Sequence, residues 1–183
     1  MVQIGCGQLT WPRTMPEEQV RAAIAEAGYD GAPADIGSGR AARETLELYA
    51  RFGLRPAPGY LSGEFWDGAR AGAILELAAR KAEYMRELGC TELFVAAQLT
   101  PARRAVSGHV GPGDALDEAG LQQFAETLNR VGERTLREGV RSCFHNHVGS
   151  FIETRAEVER LFALLDPGLV FQGPDLGHYA WAG

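Results

Sequence analysis

The chain has 183 residues, 45% hydrophobic and 23% charged, enough for one domain with a sizeable core and typical of a globular protein. A formal net charge of −6 and a pI near 5.3 exclude the dense Lys/Arg surface that nucleic-acid phosphates demand. No stretch reaches the roughly 18–20 apolar residues of a membrane helix, and the start, MVQIGCGQLTWP, lacks the regions of a secretion signal, so small-molecule chemistry in the cytoplasm is the default.

Short apolar runs alternate with longer amphipathic ones, the pattern of βα units feeding a parallel sheet. The first strand is predicted over Val2–Gly7. The first helix opens at a capping box, Thr14 to Glu17, with Pro16 in its first turn, repeats Val20, Ala23, Ile24 and Ala27, and ends at Gly28. A weak second strand follows over Gly31–Ile36, interrupted by Pro33. The second helix begins after Ser38, buries Leu46, Tyr49 and Ala50, and stops at Gly53.

The third strand is LRPAPGYL, again marked by proline, and the third helix runs over about Ala69–Leu88 with Ile74, Leu77, Ala78, Met85 and Leu88 on one face. ELFVAAQL is the cleanest strand of the chain. After it comes a long polar loop, TPARRAVSGHVGPGDALDEAG, of a length that is usually functional or mobile. The fourth helix spans about Leu121–Glu138, the fifth strand is VRSCFH, the fifth helix covers Thr154–Leu165, and LVFQGPD is the sixth strand. LGHYAWAG ends the sequence.

Residues 1–183 thus read as a single domain without linkers, six strands and five helices in strict alternation. A closed TIM barrel requires eight such units and about 250 residues, whereas an open doubly wound sheet stops at six, and counting leaves both open. A Rossmann nucleotide site is disfavoured, because GCGQLTWP lacks the third glycine and does not enter a helix directly. The three cysteines, Cys6, Cys90 and Cys143, are widely spaced without a CxxC pair and read as reduced, buried residues.

In parallel α/β folds the loops after the strands converge on one face, so polar residues there are the candidates for chemistry. Gln8 and Trp11 follow the first strand, Tyr60 the third, Gln98 the fourth, His145, Asn146, His147 and Glu153 the fifth, and Asp175 and His178 the sixth. Each also has a plain reading. Asp175 is a turn cap or a metal carboxylate; His178 is a helix-start histidine or a contact for a substrate hydroxyl. His145 and His147, two apart, project to one side of an extended strand end, as a structural pair or as acid–base groups. Glu153 is a first-turn acid complementing the helix dipole or a metal ligand. Trp11 and Tyr60 are lid packing or sugar-stacking residues. The letters His145-Asn146-His147 do not make an HNH nuclease, whose residues are scattered over a ββα unit with a basic surface.

Three segments together carry a resemblance: IGCGQLTW followed by EAGYDG, FHNHVGSFIET at the fifth strand, and PDLGHYAWAG at the sixth. They resemble the xylose isomerase-like TIM barrels, the sugar phosphate isomerase/epimerase superfamily that includes inosose dehydratases. The resemblance implies a (β/α)8 TIM barrel of which this chain covers about the first six β/α units. It also implies a divalent metal (Mn, Mg, Co or Zn), with Glu153 and Asp175 as ligands and His147 in reserve. Catalysis would fall to Glu153, His145 and His147, and substrate binding to Trp11, Tyr60, Gln98, Asn146 and His178. The chain departs from the pattern after GYDG, where APADIG places a proline and Asp35.

The expected reaction is metal-dependent isomerisation or epimerisation of a sugar, sugar phosphate or cyclitol by proton transfer through an enediolate. Inosose-type dehydration is the alternative, and a non-catalytic incomplete barrel the rival from another class. An apurinic-site endonuclease, also in this superfamily, is disfavoured by the acidic charge. The chain stops before the seventh and eighth strands. A truncated product, a barrel completed by another polypeptide and a small open-sheet protein are the three explanations, and exposed strand edges favour association, including a homo-oligomer.

Overall fold

A computed structural model describes residues 3–7, 11–12, 14–34 and 36–183. Its strands are β1 (Gly31–Pro33), β2 (Arg55–Ala57), β3 (Tyr60–Gly63), β4 (Glu92–Ala97), β5 (Arg141–Phe144) and β6 (Val170–Gln172). The helices are α1 (Glu17–Glu26), α2 (Ala42–Ala50), α3 (Ala71–Glu87), α4 (Pro101–Ala105), α5 (Glu118–Leu136), α6 (Arg155–Phe162) and α7 (Leu176–Ala182). β1 pairs with β2, and β3-β4-β5-β6 form a second sheet in that order; every described pairing is parallel. This is a TIM-barrel arrangement in which the chain supplies about the first six units.

Register separates the two faces of the larger sheet. Leu61 lies opposite Val95, and Val95 opposite Phe144. All three are buried in the main apolar cluster with Ile74 of α3 and Phe124 and Leu128 of α5. Each fully buried side chain of this kind contributes roughly 1.5–3 kcal/mol. Ser142 also faces outward, its hydroxyl 2.9 Å from that of Thr135 on α5. Alternate residues Tyr60, Phe94, Cys143 and His145 share the inner face, where the rings of Tyr60 and Phe94 both meet that of His145.

Several sequence expectations change in detail. The predicted first strand is reduced, among the described residues, to a bridge from Gly5 to Gly31, with the Cys6 N–H donating to the Gly31 carbonyl at 2.9 Å. LRPAPGYL is not one strand: it divides at Pro58-Gly59, so that β2 pairs backward with β1 and β3 forward with β4. Pro58 has no N–H to donate, and Gly59 passes so close to the Ala34 carbonyl that a Cβ there would lie 2.5 Å from it. The Thr14 capping box does not form; α1 starts at Glu17 with Pro16 at its cap and no side-chain cap hydrogen bond. On α2 the buried positions are Ala42, Thr45, Leu48 and Tyr49, one step away from the expected Leu46 and Ala50. The polar loop after β4 contains α4, a 3-10 turn at Pro112–Asp114 and the first turn of α5, and LGHYAWAG is helical as α7. Cys90 and Cys143 are buried, Cys6 half-buried, and all three are free thiols. No described helix is long and apolar enough to cross a membrane.

Candidate functional site

The ends of β5 and β6 meet through Asn146, which is 1% exposed. Its amide oxygen accepts the Asp175 N–H at 2.9 Å and its NH2 donates to the Asp175 carbonyl at 3.3 Å. This reciprocal pair holds Asp175 beside His145. Asp175 is also the N-cap of α7, its Oδ1 accepting the His178 N–H at 2.8 Å, which turns the His178 side chain back over the same strand ends.

Three potential ligand groups converge as a result. His145 Nε2 lies 3.6 Å and His178 Nε2 3.8 Å from Asp175 Oδ2, and one ligand atom from each of the three residues falls within 4.8 Å of the others. The separations exceed hydrogen-bond length, so the three groups surround a space without closing on one another. All are partly buried. Burial lowers the pKa of His145, against Asp175, whose charge raises it. Burial also lowers that of His178, aided by His147 and opposed by Asp175. Burial pushes the Asp175 carboxyl up, but the His178 N–H and the charges of His178 and His145 outweigh it and leave the pKa below the ordinary value. At neutral pH the set is two neutral imidazoles and a carboxylate, the forms that bind metal.

His147 joins from the next turn, its ring centroid 3.8 Å from that of His178. Its Nδ1 lies 2.7 Å from the Val148 carbonyl. A carbonyl only accepts, so Nδ1 carries the proton and a neutral His147 presents the lone pair on Nε2. Tyr60 borders the inner side, its ring centroid 5.6 Å from that of His145 in a T-shaped contact.

Of the residues anticipated from sequence, the fold therefore brings together His145, His147, Asp175, His178 and Tyr60. Asn146 sits beneath them as a strut between strand ends. Trp11 packs against the core, its buried indole N–H without a partner among the described residues, and Gln98 is exposed at the end of β4. Gln8 and Asp35 lie outside the described residues.

Glu153 is held elsewhere. It is 1% exposed, and its oxygens accept the N–H groups of Gly108 and Gly149, each at 2.6 Å. Arg103 Nη2 lies 3.8 Å from Glu153 Oε2 and 3.0 Å from Glu157 Oε2, while Arg103 Nη1 donates to Glu157 Oε1 at 2.7 Å. Sequence reasoning missed Arg103 and Glu157. The available signal was T-R-A-E at 154–157: Thr154 and Glu157 form a capping box at the start of α6.

Comparison with known proteins places the fold in a family. A family described as xylose isomerase-like TIM barrel matches residues 21–183. An inosose dehydratase of Geobacillus kaustophilus is 27% identical over 91% of this chain and 55% of its own length. The chain therefore spans about half of that relative. The probable 3-DHS dehydratase AsbF of Bacillus anthracis superposes with a TM-score of 0.76 at 11% identity, over 100% of this chain and 66% of that one. A xylose isomerase-like TIM barrel protein from Mycobacterium smegmatis, solved with magnesium, gives 0.64 at 17% identity, over 90% and 58%.

Proposed function

The chain belongs to the xylose isomerase-like TIM barrel family, and on that footing we propose that it supplies the β5–β6 rim of a metal-assisted proton-transfer site for a sugar or cyclitol. The observation that carries the reading is the convergence of His145, Asp175 and His178 at adjacent strand ends. Two neutral imidazoles and a carboxylate suit Mn, Co or Zn, and the carboxylate also suits Mg. His145, Asp175 and His178 would hold the ion, while Glu153 keeps its hydrogen bonds to Gly108 and Gly149. A bound divalent cation polarises a substrate carbonyl and so acidifies the neighbouring C–H.

The side chains of this rim divide the remaining work. His147 Nε2, its tautomer set by Val148, accepts the proton from the carbon beside the carbonyl. The resulting imidazolium delivers that proton to the departing β-hydroxyl: the C–H and C–O bonds break, a C=C bond forms, and water leaves. Tyr60 and Phe94 supply an aromatic floor against His145 that restricts water. Dehydration is the first reading because the inosose dehydratase relative aligns over 91% of this chain. Isomerisation or epimerisation starts with the same proton abstraction and is favoured by the family's own description. Of the three residues expected to carry catalysis, His147 keeps that role here, His145 turns to the metal and Glu153 is left to its backbone hydrogen bonds.

Incubation of the protein with an inosose and Mn(II) in D2O tests this. Enone absorbance with water loss is expected for dehydration, and deuterium next to the carbonyl without water loss for isomerisation. The absence of both signals, from this chain and from a longer protein containing it, overturns proton transfer at this rim.

A further inference from the structure

We infer that Arg103 is a positioning residue for the histidine cluster, acting through Glu153 and Glu157 to lock the β5–α6 loop and the segment after α4 into one rim. The inference rests on the metal-site reading above. Arg103 is 1% exposed although α4 has only five residues, and Thr100 caps that helix by accepting the Arg103 N–H. Its guanidinium grips Glu157 with both terminal nitrogens and donates to the Asp114 carbonyl at 2.9 Å, with Phe151 5.8 Å away across the ring face.

One cation thus serves two buried carboxylates, and the loops supply the other donors. Glu157 accepts the N–H groups of Glu153 and Thr154, at 3.0 and 2.8 Å, and Glu153 accepts those of Gly108 and Gly149. These last two contacts reach the histidines. Gly149 is two residues beyond His147. Its φ is +81°, and a Cβ there would lie 3.0 Å from the Arg104 side chain. Gly108 has φ +76°, and a Cβ there would lie 2.8 Å from the indole nitrogen of Trp181, one turn beyond His178 on α7. Glu153 therefore ties the loop carrying His147 to the backbone on which the helix carrying His178 leans. Without Arg103, two desolvated acids face each other and the loops part to hydrate them. The tilted contact of the His147 and His178 rings, 3.8 Å between centroids, then loses its support.

The test compares wild type, Arg103→Met and the charge-retaining Arg103→Lys by Co(II) titration with visible spectra, and by amide hydrogen exchange at Gly108 and Gly149. We expect Co(II) affinity to fall roughly tenfold or more in Arg103→Met, less in Arg103→Lys, with altered ligand-field bands and faster exchange at both glycines. A purely structural arginine would lower thermal stability and leave the affinity and bands of the folded variant unchanged, which would overturn the inference. If Arg103→Met does not fold, Arg103→Lys decides, because lysine cannot reproduce the two-nitrogen grip. If wild type binds no Co(II), the metal reading fails, and the rim is judged by exchange alone: unchanged protection of Gly108 and Gly149 in either folded variant overturns it.

Discussion

Arg103, Glu153 and Glu157 keep side-chain exposures of 1, 0 and 8%, whereas His145, Asp175 and His178 keep 19, 32 and 20%. Both clusters set carboxylate against nitrogen groups, the first on segments that follow β4 and β5, the second on segments that follow β5 and β6. In the first, the carboxylates are saturated by backbone N–H groups and a guanidinium, with contacts as short as 2.6 Å. In the second, Asp175 Oδ2 stands 3.6 and 3.8 Å from two imidazoles that burial keeps neutral. A saturated buried carboxylate gains little from a new ligand, since a contact must break first; an unsaturated one at an accessible strand end gains a full charge-assisted bond. Under the proposed function, the first cluster builds the rim and the second receives the ion.

The largest expected effect breaks the buried cluster. Arg103→Met leaves two carboxylates in the protein interior and should cost about 3–5 kcal/mol of stability, measured by urea unfolding. Asp175→Asn separates the clusters in the opposite sense. Asparagine caps a helix about as well as aspartate, so unfolding should hardly change, while Co(II) or Mn(II) affinity should fall by about 100-fold or more. Equal stability losses in the two variants would erase the distinction between rim and receiving site.

A pH titration probes the open cluster with smaller effect. His145 and His178 are both shifted below the ordinary imidazole value of 6.5, so the folded chain binds fewer protons than the unfolded chain just below that pH. Stability must therefore decline as pH falls through this window, because the unfolded state gains protons there. Metal affinity should stay nearly flat from about pH 8 to 6.5 and then fall by roughly tenfold or more per unit, since protons compete for the same nitrogens. A decline beginning at pH 7.5 would mean that the imidazoles are not held neutral as their burial indicates.

What the sequence made legible follows from periodicity and position. The unbroken apolar run of ELFVAAQL and the 3–4 residue spacing of Leu121, Phe124, Leu128 and Val131 mark which residues are buried, and these elements lie where the pattern places them. His145, Asp175 and His178 stood out because they follow two strands that register brings side by side. Arg103 did not, because a short helix inside a polar loop has no apolar repeat, and its burial depends on partners 54 residues away. The division of LRPAPGYL was hidden for a related reason: each half is a good strand locally, and only pairing to different neighbours separates them.

Glu153→Gln gives the finest test, because it asks to which cluster a single residue belongs. The amide keeps the size of the side chain but turns an NH2 toward one of the two backbone N–H groups that both carboxylate oxygens now accept. One of Gly108 and Gly149 then loses its acceptor, at a cost of about 1–3 kcal/mol. The grip of Arg103 on Glu157 survives, so Co(II) affinity should drop less than about tenfold, well short of the loss expected for Asp175→Asn. A ligand at position 153 behaves differently. Replacing its charged oxygen with an amide would weaken metal binding as severely as Asp175→Asn does, and amide exchange at Gly108 and Gly149 would already be fast in the metal-loaded wild type. Metal affinity and glycine exchange, followed together in this one variant, therefore distinguish a staple from a ligand by opposite patterns.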